Sequence, residues 1–104
     1  MQGGDLILAL MFVGLLQLEL SIFESYSLKD KRAVVNSLLE KVRSRFNVSA
    51  AQIDDHDLWN RATLAFAVVS NSRVAAERVL NHVRDLAEED QSRGEVIECK
   101  TEWL

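Results

Sequence analysis

Apolar and polar residues alternate in the segment that begins at Phe12 and ends at Ile22. A period of two is typical of a β-strand that buries one face and exposes the other. The positions that would share the buried face are Leu16, Leu18, Leu20 and Ile22. The other face would carry Leu15, Gln17, Glu19 and Ser21. We therefore predict a half-buried strand that ends at the polar stretch ESYS, residues 24–27.

The start of the chain has two interpretations. Residues 6–16, LILALMFVGLL, form an apolar run of the length found in signal-peptide cores, but Asp5 precedes it instead of Lys or Arg. The run is too short to cross a bilayer as a helix, which favours a buried strand. Met11 could be the ordinary start, so we predict an atypical extension over residues 1–10 and one domain over residues 11–104.

The stretch SLKDKRAVVNSLLEKVRSRF, residues 27–46, has the pattern of an amphipathic helix. Ser27 with Asp30 three residues later resembles a capping box, with Asp in place of the usual Glu. One stripe at helical spacing is apolar and consists of Leu28, Val35, Leu38, Leu39, Val42 and Phe46. We predict a helix from about Leu28 to Arg45.

Two strands, a helix and a last strand are predicted to follow. The second strand covers residues 47–54, and its phase slip predicts a bulge near Ala50 and Ala51. The third covers residues 59–70 and the fourth residues 95–104. Residues 71–72 can cap a second helix, which ends before Gly94.

This order predicts an α+β domain with the ferredoxin-like βαββαβ arrangement, in which two helices lie on one face of a four-stranded antiparallel sheet. The other sheet face would be bare, and an exposed apolar area usually marks an interface. The candidate interface residues are Val13, Leu15, Gln17, Ala65, Ala67 and Val69. A homodimer, formed by packing sheets or pairing strand edges, is the expected partner; the alternative is a soluble monomer with small exposed alanines.

Charge is distributed unevenly along the 104 residues. The net charge is −4, yet residues 27–46 hold six cations and two acidic residues and so carry +4. The cations predicted to form a surface for RNA phosphates or an acidic partner are Lys29, Lys31, Arg32, Arg43 and Arg45. The alternative is a solvated face, since charge runs are usually solvated and cations suit a helix C-terminus.

Catalytic patterns are missing from the sequence. Residues 54–57, DDHD, could hold a cation, but neighbours in an extended segment point to opposite sides, so an Asp-rich turn is the plainer interpretation. The single Cys99 has no His partner in the pattern, and a buried Cys more often packs than reacts. Trp59 and Trp103 are expected to anchor strand ends at the edge of the core. We predict a non-enzymatic protein without a cofactor or metal.

Three stretches give the chain a resemblance to a known family. SLKDKR, RFNVS and DLWNRATLAFAVVS occur in this order and spacing, and with them the chain resembles the YlxP-like bacterial proteins, a domain of unknown function. The resemblance extends from about Met11 to Trp103. It implies a ferredoxin-like fold and supplies no activity, cofactor or catalytic residue.

The resemblance also implies a cellular setting. Genes of this family often lie beside those for transcription-elongation, translation-initiation and ribosome-maturation factors. We therefore expect a cytoplasmic accessory factor in ribosome assembly or translation, which contacts ribosomal RNA or a ribosome-associated protein and no membrane. The alternative is a dimeric interaction or small-ligand-sensing module that uses the open sheet face.

Overall fold

A computed structural model describes residues 10–90 and 93–104 of the chain. The extension predicted over residues 1–10 therefore lies, apart from Leu10, outside the described residues. The elements follow one another as β1 (Phe12–Ile22), α1 (Leu28–Arg45), β2 (Ser49–Asp54), β3 (Arg61–Ser70), α2 (Arg73–Glu89) and β4 (Gly94–Trp103). The four strands form one antiparallel sheet in the order β2-β3-β1-β4. This confirms the predicted ferredoxin-like α+β fold.

The hydrophobic core lies between one face of the sheet and the two helices. In the two central strands Leu16 pairs with Phe66 and Leu18 with Leu64, and all four side chains are buried. The helices bury Val35, Leu38, Leu39 and Val42 from α1, and Ala76, Leu80, Val83 and Ala87 from α2. Buried positions recur every 2 residues in the strands and every 3.6 residues in the helices. The two sets of side chains pack together in a single core layer.

Serine residues cap both helices. The hydroxyl oxygen of Ser27 accepts a hydrogen bond from the Asp30 amide at 3.1 Å, and Ser72 accepts one from Ala75 at 3.2 Å. The Asp30 carboxylate accepts the amide proton of Tyr26 at 3.2 Å, whereas a capping box would satisfy the amide of Ser27 itself. The predicted helix starts are therefore confirmed, with the reciprocal bond displaced by one residue.

Removal of the first cap should weaken the domain measurably. We expect Ser27→Ala to lower the free energy of unfolding by about 1 kcal/mol, because an amide of the first turn loses its acceptor. Urea denaturation measures the change. Ser37→Ala, at an exposed position within α1, is the control and should be neutral or slightly stabilising. Equal losses in the two variants would contradict a capping role.

The bulge predicted near Ala50 and Ala51 is wrong in position. Ala50 pairs regularly with Phe66 and Ala51 with Ala65, while the register shifts between Gln52 and Asp54. The extra residue is Ile53, at the end of β2. Ala50 and Ala51 both fit the regular pairing with β3. The change in side-chain phase therefore occurs at Ile53, where the strand ends.

Candidate binding surface

The residues predicted for the open sheet face lie together on the side opposite the helices. The register places Val13 beside Val69, Leu15 beside Ala67 and Gln17 beside Ala65. Val69 is 65% exposed, and Gln17 is exposed while the other four are partly buried. The structure therefore brings this set into one patch, and its use in association stays a prediction.

One of the five predicted surface cations is not on the surface. Lys31 is only 1% exposed, and its ammonium donates to the carbonyl oxygens of Asp55 and Leu58 in the loop between β2 and β3. The helix start faces that loop, and the long side chain reaches two backbone acceptors there. The assignment of Lys31 to an external binding surface is wrong; it joins α1 to the loop.

Burial and the neighbouring charges act against each other on this ammonium. Burial lowers the pKa of Lys31, while the carboxylates of Asp55 and Asp57 raise it and Arg32 lowers it further. Removal from water disfavours the charged form, and nearby carboxylates favour it. Two of the three aspartates in the acidic stretch thus lie where they compensate a buried cation.

The acidic stretch itself forms a turn held by its own hydrogen bonds. Asp55 has a left-handed backbone with φ of 65°, which Asp tolerates better than most residues. Its amide donates to the Asp54 carboxylate at 2.8 Å, and its carboxylate accepts the Thr63 hydroxyl at 2.9 Å. Within residues 10–90 and 93–104, no three His, Cys, Asp or Glu side chains are grouped as metal ligands.

Two cations near the end of α1 are engaged with the protein. The Arg43 guanidinium donates to the carbonyl oxygen of Ala50 on the edge strand β2. Lys41 pairs with Asp90 at 3.0 Å. Lys29, Arg32 and Arg45 are exposed, and in the described part of the chain none of the three forms a salt bridge. Of the predicted set, these three are free to meet an external anion.

Several large apolar side chains are exposed in the β1–α1 and β2–β3 loops, at the end of the sheet where α1 begins. Tyr26 is 74% exposed and Trp59 is 53% exposed. Phe23 and Leu58 are also exposed. Ser25 from the first loop and Asp57 to Asn60 from the second line one shallow cavity, which shows that the two loops are neighbours. We call residues 23–32 and 55–60 the loop end.

The expectation that Trp59 anchors a strand end at the edge of the core is therefore wrong. β3 begins at Arg61, so Trp59 lies in the loop, outside the strand that buries Ala62, Leu64 and Phe66. Trp103, by contrast, is partly buried against the core, with the Arg73 guanidinium 4.6 Å from its ring centre. Phe23, Tyr26 and Leu58 were not predicted as surface residues from the sequence. The sequence feature that could have identified them is a large apolar residue among Asp, Ser, Asn and Glu, in a loop between two predicted elements.

The fold and this surface define a class of protein. It is a small ferredoxin-like α+β domain whose distinctive surface combines exposed aromatic rings with two exposed cations at a helix start. Within the described ranges, 10–90 and 93–104, no helix has the length and apolar character needed to cross a membrane.

Comparison with known proteins identifies the family. A family model described as "Protein of unknown function (DUF503)" matches residues 13–101, and the chain belongs to that family. It is 36% identical over 92 residues to "Uncharacterized protein YlxP" of Bacillus subtilis strain 168, with 88% of this chain and 99% of that protein covered. The resemblance to YlxP-like proteins is thereby confirmed.

Two solved structures resemble the chain more distantly. A structural-genomics protein YJCS has a TM-score of 0.44 and 13% identity, covering 86% of this chain and 96% of its own. A de novo designed protein, Foldit4, has a TM-score of 0.44 and 16% identity, covering 88% and 96%. Neither likeness bears on function.

Proposed function

We propose that this protein is a non-enzymatic accessory factor of ribosome assembly or translation, and that it contacts ribosomal RNA through the loop end. The observation that supports this most is the pair Lys29 and Arg32, which are exposed and have no salt bridge among the described residues. They lie one turn apart at the start of α1. An external phosphate would offset cations that the helix dipole disfavours there.

The exposed aromatic rings add a second kind of RNA contact, base stacking, to the phosphate contacts of the cations. Lys31 binds the carbonyl group of Leu58, so the residue next to Trp59 is held against the first turn of α1. Cations contact the backbone phosphates of RNA, while aromatic side chains stack on unpaired bases. The loop end carries both kinds of group, which suits a single-stranded region of ribosomal RNA.

The acidic residues of the loop limit the direction of approach. The Asp54 carboxylate accepts a hydrogen bond from the turn and the Asp55 carboxylate accepts one from Thr63 of β3, and Asp57 lines the cavity beside Trp59. Their negative charge repels phosphate on the β2–β3 side. RNA would therefore approach from the exposed flank of α1, where Lys29 and Arg32 lie. The gene neighbourhood implied by the family resemblance supports a ribosomal target.

We expect Lys29→Ala/Arg32→Ala to lose salt-sensitive binding to ribosomal subunits, measured by co-sedimentation. Removing two phosphate contacts should reduce the slope of log affinity against log salt by about 1 to 2. Trp59→Ala should weaken binding by about 5-fold or more, since stacking contributes about 1–3 kcal/mol per base, and should leave the salt slope unchanged. Lys31 stays intact, because its substitution would disturb the loop.

The matched control is Arg78→Ala/Arg84→Ala, which removes two cations from α2 and changes the net charge equally. If both double variants lose binding alike, net charge and not the loop end is responsible. Binding that survives digestion of the ribosomal RNA would identify an acidic protein as the target instead. Free migration of the native protein at low salt would overturn the proposal.

A second candidate function is supported by the apolar patch on the open sheet face. Val69 is the most exposed of its apolar side chains, and exposed apolar patches mark interaction sites. The protein would then be an interaction or small-ligand-sensing module. Val69→Asp in the same assay separates the two functions, because it alters this face and leaves the loop end unchanged.

A further inference from the structure

The two edges of the sheet are protected very differently. Each edge strand contains one bulge, but β2 is only 6 residues long and has Arg43 bonded to its Ala50 carbonyl. β4 is 10 residues long, and in the described chain no side chain donates to its backbone carbonyl groups. Proteins normally protect exposed edge strands, since their unpaired backbone groups pair with other chains. β4 is thus the edge open to pairing.

The register of β4 against β1 decides which backbone groups face outward. The Leu104 amide donates to the Val13 carbonyl at 3.0 Å, so this pair lies at a hydrogen-bonded position of the ladder. In an antiparallel ladder every second pair does so, which includes Gln17 with Lys100 and Glu19 with Glu98. The backbone groups of Cys99 and Thr101 therefore point away from the sheet, toward the free edge.

We propose that a second copy of this chain pairs with β4, antiparallel, with the two-fold axis beside Cys99. Glu98 of each copy then lies opposite Lys100 of the other, giving two cross-strand pairs of opposite charge. An axis at Glu98 or at Lys100 would place identical charges opposite each other. The bulge of β4 lies between Glu98 and Val96, so the pairs next to the axis are regular. This inference is independent of the RNA proposal.

The side chains beside the axis suit this arrangement. Glu98 and Lys100 share the open face, lie 3.6 Å apart as an exposed ion pair within the chain and are more than half exposed, so each can turn to a partner across the edge. Cys99 lies on the other face and is exposed, contrary to the buried position expected from the sequence. Hydrogen-bonded antiparallel pairs have Cα atoms about 5.5 Å apart, which lies within the range for a disulfide. The two thiols would therefore be within reach of each other.

Charge variants test the pairing. In sedimentation equilibrium under reducing conditions, we expect the native protein to have twice the mass of its 11.8 kDa chain. Lys100→Glu makes both cross-strand pairs repulsive and should weaken the dimer by roughly tenfold or more. Glu98→Lys/Lys100→Glu exchanges the charges and should restore it. Far-UV circular dichroism checks that each variant is folded.

Oxidation of Cys99 tests whether the two-fold axis of the proposed dimer lies beside this residue. Mild treatment of the native protein with diamide should give a disulfide-linked dimer, and Cys99→Ser should remain dimeric in reducing buffer without forming the link. The proposal is overturned if the native protein is a monomer at all concentrations. It is equally overturned if Lys100→Glu dimerises like the native protein and no disulfide forms, since the dimer would then use another surface, such as the patch at Val69.

Discussion

Lys31→Met is expected to lower the free energy of unfolding by about 2–3 kcal/mol. Met keeps much of the length of the buried stem but cannot donate a hydrogen bond. The carbonyl oxygens of Asp55 and Leu58 would then lose their donor in a protected position. Urea denaturation measures the change, and hydrogen exchange of residues 55–60 should accelerate because the loop is released from α1.

Lys29→Met provides the matched control. It removes the same charge from the same turn, at a position that is exposed, and such surface substitutions usually change stability by less than about 0.5 kcal/mol. A similar loss in both variants would assign the effect to helix charge. No loss in Lys31→Met would contradict the structural role of its two hydrogen bonds.

The buried ammonium also predicts a dependence of stability on pH. Burial lowers the pKa of Lys31 below its ordinary value of 10.5, although Asp55 and Asp57 oppose the change. Between the two pKa values the unfolded chain holds a proton that the folded chain has released. Stability should therefore rise with pH in the interval just below 10.5. Lys31→Met should lack this rise, which urea titrations at successive pH values would detect; an identical rise in both proteins would refute the assignment.

The fold was predictable because local patterns and long-range packing agree. The helix predicted from about Leu28 to Arg45 has those bounds, since the apolar stripe and the Ser27 cap indicate the same start. The alternation of β1 identified its buried face, because the helices cover only one side of the sheet. The order of elements then restricted the topology.

The loop end could not be predicted in the same way. The environment of Lys31 depends on carbonyl groups 24 and 27 residues away. The pattern of apolar residues does not indicate which loop contacts the start of a helix. The same contact brings together SLKDKR and DLWNRATLAFAVVS, two of the stretches that carry the family resemblance. Trp59 was misassigned because an aromatic residue next to a strand looks like its first member. Only the hairpin geometry shows that β3 begins two residues later.

Gly14→Ala is expected to destabilise the protein by about 1–3 kcal/mol through overpacking. A Cβ atom at this position of β1 would lie 2.8 Å from Cζ3 of Trp103 and 2.9 Å from Cδ1 of Leu80. The Leu80 methyl group can rotate, but the indole ring is rigid and also lies beside the Arg73 guanidinium. The absence of a side chain at Gly14 is what allows Trp103 to pack over β1.

A double-mutant cycle with Trp103→Leu identifies the cause. If the indole ring produces the strain, Gly14→Ala should cost clearly less in the Trp103→Leu background, and the difference is the coupling free energy from urea denaturation. An equal cost in both backgrounds would assign the loss to Leu80 or to the strand itself. Because Trp103 ends β4, a shift of its ring would also disturb the Leu104–Val13 hydrogen bond that sets the register of this edge. Gly14→Ala should therefore weaken the proposed dimer as well as the monomer, whereas Ser27→Ala, at the opposite end of the sheet, should weaken the monomer alone.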